Sequence, residues 1–72
     1  MAFRMKGAND IKLYNVFVYN YVGSFTDIYM VRADDPVDAR NVAVQRLIDE
    51  TGDGLDVWEI VDVIEVKGVP QA

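Results

Sequence analysis

Cysteine and histidine are both missing from this chain of 72 residues. No disulfide can form, and the usual ligands of structural zinc are absent, so two common staples of small domains are excluded. The same absences remove the commonest general base and every thiol nucleophile. Carboxylates remain, but paired-carboxylate catalysis needs a substrate cleft that so short a chain hardly builds. We therefore expect no enzyme and no cofactor. There is also no G-x-G-x-x-G or Walker pattern to cradle a phosphate. No apolar run approaches the ~20 residues of a membrane-spanning helix. The stretch MAFRMKGANDIK has neither a long apolar core nor a small-residue cleavage site, so it does not read as a signal peptide. The expectation is a cytoplasmic protein with no membrane contact.

Acidic charge is abundant. The net charge is −5, divided unevenly along the chain. Residues 1–33 carry Arg4, Lys6, Lys12 and Arg32 against Asp10 and Asp27, or +2; residues 34–72 carry ten acids against Arg40, Arg46 and Lys67, or −7. In DETGDGLDVWEIVDVIEV an acid recurs at every third position, as Glu50, Asp53, Asp56, Glu59, Asp62 and Glu65, with Asp49 beside the first. An EF-hand reading fails because Ile60 stands where the bidentate acid of a calcium loop belongs. The plain reading is that these acids keep a small apolar domain soluble. The functional reading is a surface for a basic partner, and such a surface repels nucleic acid itself, so no direct nucleic-acid binding is expected.

The pattern predicts a single ββαβ domain over 1–72, of α+β class, with a three-stranded antiparallel-type sheet, one helix packed on one face, and flexible ends at 1–10 and 68–72. IKLYNVFVYNYV and FTDIYMVRA are rich in β-branched and aromatic residues and flank Gly23-Ser24. A two-residue type II′ turn there, with Gly23 supplying the positive φ, would set Val22 opposite Phe25, Val18 opposite Tyr29 and Val16 opposite Val31. Asp35 and Pro36 suit an N-cap and first helical position, and Gly52 a left-handed C-cap, which predicts a helix from Pro36 to Glu50 or Thr51. Val37, Val44, Leu47 and Ile48, with Ala43 between, form its expected apolar stripe. Residues 57–67, opening on the expected core anchor Trp58, form the third strand. Simple alternation along that strand groups Glu59 and Glu65 with Val61 and Val63, and Asp62 with Trp58, Ile60 and Ile64.

One helix covers one face of a sheet. The other face keeps either the set around Tyr14, Val16 and Val18 or the opposite set of Leu13, Phe17, Tyr19, Tyr21, Ile28 and Met30. Either set exceeds the apolar patch usual on a monomer. We assign Tyr14, Val16, Val18, Phe25, Tyr29 and Val31 as the candidate interface of a homodimer. The candidate partner-binding acids are Asp34, Asp35, Asp38, Asp49, Glu50, Asp53, Asp56, Glu59, Asp62 and Glu65. Acids two residues apart on a strand lie ~6.6 Å apart, comparable to neighbouring phosphates on DNA.

In its acidic, cysteine-free, tyrosine-rich ββαβ character, with an N-capped DDPVDA helix, the chain resembles the small early proteins with which bacteriophages take over their hosts. More loosely it resembles acidic phage DNA mimics that occupy the DNA-binding surface of host proteins such as the nucleoid protein HU. That resemblance implies a homodimeric inhibitor whose partner is a basic host DNA-binding protein. The alternative is an inhibitor or adaptor that docks on a host enzyme such as RNA polymerase through its apolar sheet face.

Overall fold

The structure, a computed structural model, describes residues 11–67. The ends expected to be flexible, 1–10 and 68–72, lie outside the described residues. Strand β1 (Lys12–Asn20) and strand β2 (Phe25–Ala33) form a hairpin, helix α1 (Pro36–Thr51) follows, and strand β3 (Trp58–Glu65) completes the sheet. The sheet order is β2-β1-β3, and β1 is antiparallel to both neighbours. The fold is therefore ββαβ and α+β. Strands β2 and β3 run parallel on either side of β1, so α1 must cross over β1 to join them.

Local sequence explains the helix. The Asp35 side chain accepts a hydrogen bond from the Asp38 backbone N–H at 2.8 Å, and Pro36 opens the first turn, where its missing N–H costs nothing. Gly52 ends the helix at φ 84°, its N–H donating to the Ile48 carbonyl at 3.0 Å. The buried stripe is Ala39, Ala43 and Leu47, all 0% exposed, at i, i+4 and i+8. Val37 and Ile48, expected in that stripe, instead face solvent, with Val37 69% exposed. Two alanines and one leucine thus line the side of the helix that meets the sheet, and the larger Val37 and Ile48 lie off it.

The hairpin corrects the expected turn. Tyr21–Ser24 form a four-residue loop, and Asn20 pairs with Phe25, Val18 with Asp27 and Val16 with Tyr29. Asn20 builds the loop: its carbonyl accepts from Ser24 N–H at 2.8 Å and its side chain from Gly23 N–H at 2.6 Å. The positive φ belongs to Ser24, at 58°, and not to Gly23. Gly23 is needed for space, because a Cβ there would lie 2.5 Å from Cε1 of Phe25. The register moved by two residues, so each side chain kept its expected face.

Strand β3 carries a second correction. The pairing passes from Phe17 with Asp62 to Val18 with Ile60, leaving Val61 unmatched in a bulge. One extra residue reverses the alternation beyond it. Glu59 therefore shares a face with Asp62 and Ile64, whereas Trp58 and Ile60 share the helix-covered face with Val63 and Glu65. Trp58, 4% exposed, is the core anchor expected, and it meets the Phe25 ring edge to face at 5.6 Å.

Candidate functional site

Helix α1 settles which face of the sheet is free, and it overturns the assigned dimer interface. Tyr14, Val16, Val18 and Val31 are at most 3% exposed and form the core beneath the helix. Tyr29 is half-buried against that core; its hydroxyl donates to Glu50 at 3.2 Å and its ring lies 5.4 Å from the Arg46 guanidinium. Phe25 is exposed but packs on Trp58 on the same covered side. None of the four buried residues can meet a second molecule while the helix stays in place.

The free face is the opposite one. On β1 it presents Leu13, Asn15, Phe17 and Tyr19, all half-buried, with Tyr21 continuing the row into the loop. Ile28 and Met30 flank it on β2, and Val61 and Ile64 on β3; all four are 47–57% exposed. The charged groups of this face sit on its outer strands, Arg32 on β2 beside Leu13, and Glu59 and Asp62 on β3 beside Tyr19 and Phe17.

Side chains hold part of the outer edge of β2 and of β3. Val66 N–H bonds to the Leu13 carbonyl, so by alternation of the ladder Val63 N–H points away from β1, and it is taken by the Asp62 carboxylate at 2.9 Å. On β2 the Asp27 carboxylate accepts from Ile28 N–H at 2.9 Å, and Arg46 donates to the Met30 carbonyl at 3.1 Å. Three of the groups that could pair with another strand are thereby occupied locally.

The candidate acids do not form one stripe. Asp34, Asp35 and Glu65 gather near Tyr14, whose phenol pKa is raised chiefly by burial and then by those three carboxylates. Asp38 lies beside them in the first turn of α1, where the helix dipole favours negative charge. Asp49 and Glu50 close the other end of the helix, and Asp53 and Asp56 follow in the loop. Asp49 accepts from Gln45 at 3.0 Å and the Asp56 carboxylate from Gly54 N–H at 3.1 Å. Among the described residues the one ion pair joins Arg46 and Glu50, at 3.8 Å between exposed side chains. Glu59 accepts from the Tyr21 hydroxyl at 2.7 Å, and this hydrogen bond is the main cause of a raised Tyr21 pKa. The bulge at Val61 thus aligned Glu59 with Asp62 and sent Glu65 to the other face, a division that simple alternation missed.

Two polar atoms in the described region are buried without a partner, Asp34 Oδ1 and Trp58 Nε1. Among the described residues no three acidic side chains converge as a metal site, and no helix is long and apolar enough to cross a membrane. The arrangement therefore offers two surfaces, an apolar sheet face and an acidic pole at the C-terminal end of α1. Comparison with protein-family models, with curated proteins and with solved structures finds no match for this chain.

Proposed function

We propose that the protein acts by binding and not by catalysis, presenting the acidic pole of Asp49, Glu50, Asp53 and Asp56 to a basic host protein in place of DNA. One observation carries this reading. The C-terminal end of a helix bears partial negative charge, so stability alone favours cations there, by about 0.3–1 kcal/mol each. Here the last turn of α1 has no basic residue, and Asp49 and Glu50 occupy it. Acids needed merely for solubility could sit anywhere on the surface; these sit where they oppose the helix dipole. The remaining acids near Tyr14 extend the negative field to the far end of the molecule. The acidic, phage-like character of the sequence supports the same partner class, a nucleoid-associated or other DNA-binding protein.

The test is a joint reversal of Asp49, Asp53 and Asp56 to lysine. Binding to a purified HU-type nucleoid protein, followed by calorimetry, should be lost, while circular dichroism is retained. Thermal stability should change little, because the cations gained at this helix end offset the hydrogen bonds that Asp49 and Asp56 give up. Wild-type binding should also compete with duplex DNA and weaken steeply with added salt. Unchanged affinity in the triple variant would leave the acids with a solubilising role only.

A further inference from the structure

We infer that the helix-free face of the sheet is where a second copy of this chain docks, face to face, to form a two-sheet sandwich with a helix on each outer side. The inference is independent of the acidic pole, which lies at the helix end and not on this face.

The covered side of the sheet is too modest to leave the other side bare. Three of the nine buried apolar residues among those described are alanines, Ala33, Ala39 and Ala43. A domain of this size normally gains a staple from a disulfide, a metal or association, and the sequence has no cysteine or histidine for the first two. A second copy is present whenever the chain folds. Ile28, Met30, Val61 and Ile64, around a central Phe17, are the side chains it would cover.

Geometry favours the face over the edges. Asp27, Arg46 and Asp62 already hold backbone groups on the outer sides of β2 and β3, which discourages pairing strand to strand. Three strands ~4.8 Å apart, two of nine residues and one of eight, project roughly 400 Å². Stable complexes bury at least about 600 Å² per partner, so even with side-chain relief the occupant must cover the whole face. A matching sheet packed at ~10 Å does so. Charge selects the symmetry. Arg32 lies on β2, and Glu59 and Asp62 lie on β3. A two-fold axis parallel to the strands sets β2 over β3 of the second copy and keeps the carboxylates apart. An axis perpendicular to the strands would instead stack β3 on β3 and confront acid with acid.

Sedimentation equilibrium of the full chain at micromolar concentration tests this without any other protein present. The wild type should weigh twice the monomer. Met30→Lys, at a position 56% exposed in the single chain, should keep the circular dichroism spectrum and raise the dimer dissociation constant by about 30-fold or more. As a second reading that does not depend on that variant, the melting temperature of the wild type should climb with protein concentration. A folded wild-type monomer overturns the inference, whether residues 1–10 or a different protein then covers the face. So does a dimer that tolerates Met30→Lys but is lost with Asp27→Lys, whose carboxylate holds an edge N–H of β2 and does not lie on the free face. Loss of binding to a basic partner in the triple-lysine variant, with the dimer intact, would separate the two proposals.

Discussion

Interleaved residues of a single strand have opposite fates in this protein. Tyr14, Val16 and Val18 are at most 2% exposed, whereas Leu13, Phe17 and Tyr19, each one position away on β1, are only half-buried. Their hydropathy does not separate them, and on composition the second set could have formed the core as well. What separates them is the crossover from β2 to β3, which lays Ala39, Ala43 and Leu47 on one side of β1 and nothing from the described residues on the other. A central strand that is apolar on both faces is thus not evidence for a two-sided core within one chain. Such a strand shows only that one of its apolar faces is left without a helix from the described residues.

The sharpest way to break the comparison is to make equal truncations on its two sides. Leu47→Ala removes a side chain that is 0% exposed and should cost about 2–5 kcal/mol, enough to unfold much of so small a domain. Ile28→Ala, at a position 50% exposed on the free face, should cost less than about 1 kcal/mol in the monomeric state. Urea denaturation of both variants in the Met30→Lys background measures the monomer directly. Equal losses would mean that the two faces are buried alike.

A smaller effect concerns the loop that sets the register of both faces. Ser24 holds φ at 58°, which costs an L-residue about 1–2 kcal/mol and glycine almost nothing. Allowing for the extra entropy that glycine loses on folding, Ser24→Gly should stabilise by roughly 0.5–1 kcal/mol. Gly23→Ala should destabilise, because the added methyl meets the Phe25 ring. Ser24→Gly is the discriminating variant: in a two-residue type II′ turn Ser24 would hold a negative φ and gain nothing from glycine, whereas Gly23→Ala would destabilise either loop.

The smallest effect is a pH dependence that marks the two sides separately. Tyr14 on the covered face is raised above its ordinary value mainly by burial, and Tyr21 on the free side mainly by its hydrogen bond to Glu59. Both phenols stay protonated in the folded state after the unfolded chain has begun to release them. Their contribution is therefore complete below about pH 10 and is lost as pH rises through the folded-state values. Tyrosinate absorbance should show Glu59→Gln bringing Tyr21 back toward its ordinary value while Tyr14 is unaffected.

Much of this was legible in the sequence, for a common reason. The Asp35 cap, Pro36 at the helix start and Gly52 at its end depend on contacts within a few residues and stand where the sequence placed them, and the three β-rich segments form strands whose ends lie within two residues of those expected. The identity of the elements, and hence the ββαβ order, is a local matter. The turn failed more subtly. Glycine in a hairpin suggests a positive φ, but Asn20, with its carbonyl and its side chain both accepting, closed a longer loop and left Gly23 to make room for Phe25.

Three features were decided only by tertiary structure. Which face became the core depended on where α1 crossed, and two equally apolar faces carry no local signal of that choice. The rotation of α1 about its own axis, which placed Ala39 inside and Val37 outside, depended on how the helix met the sheet. The grouping of the acids depended on a bulge at Val61, a mismatch between β1 and β3 that exists only once the two strands pair. The sequence by itself determined how much acid and how much apolar surface this protein carries. Long-range packing decided which way each of them points, because a side chain's direction on a sheet is fixed by register and cover, and neither is a property of the strand alone.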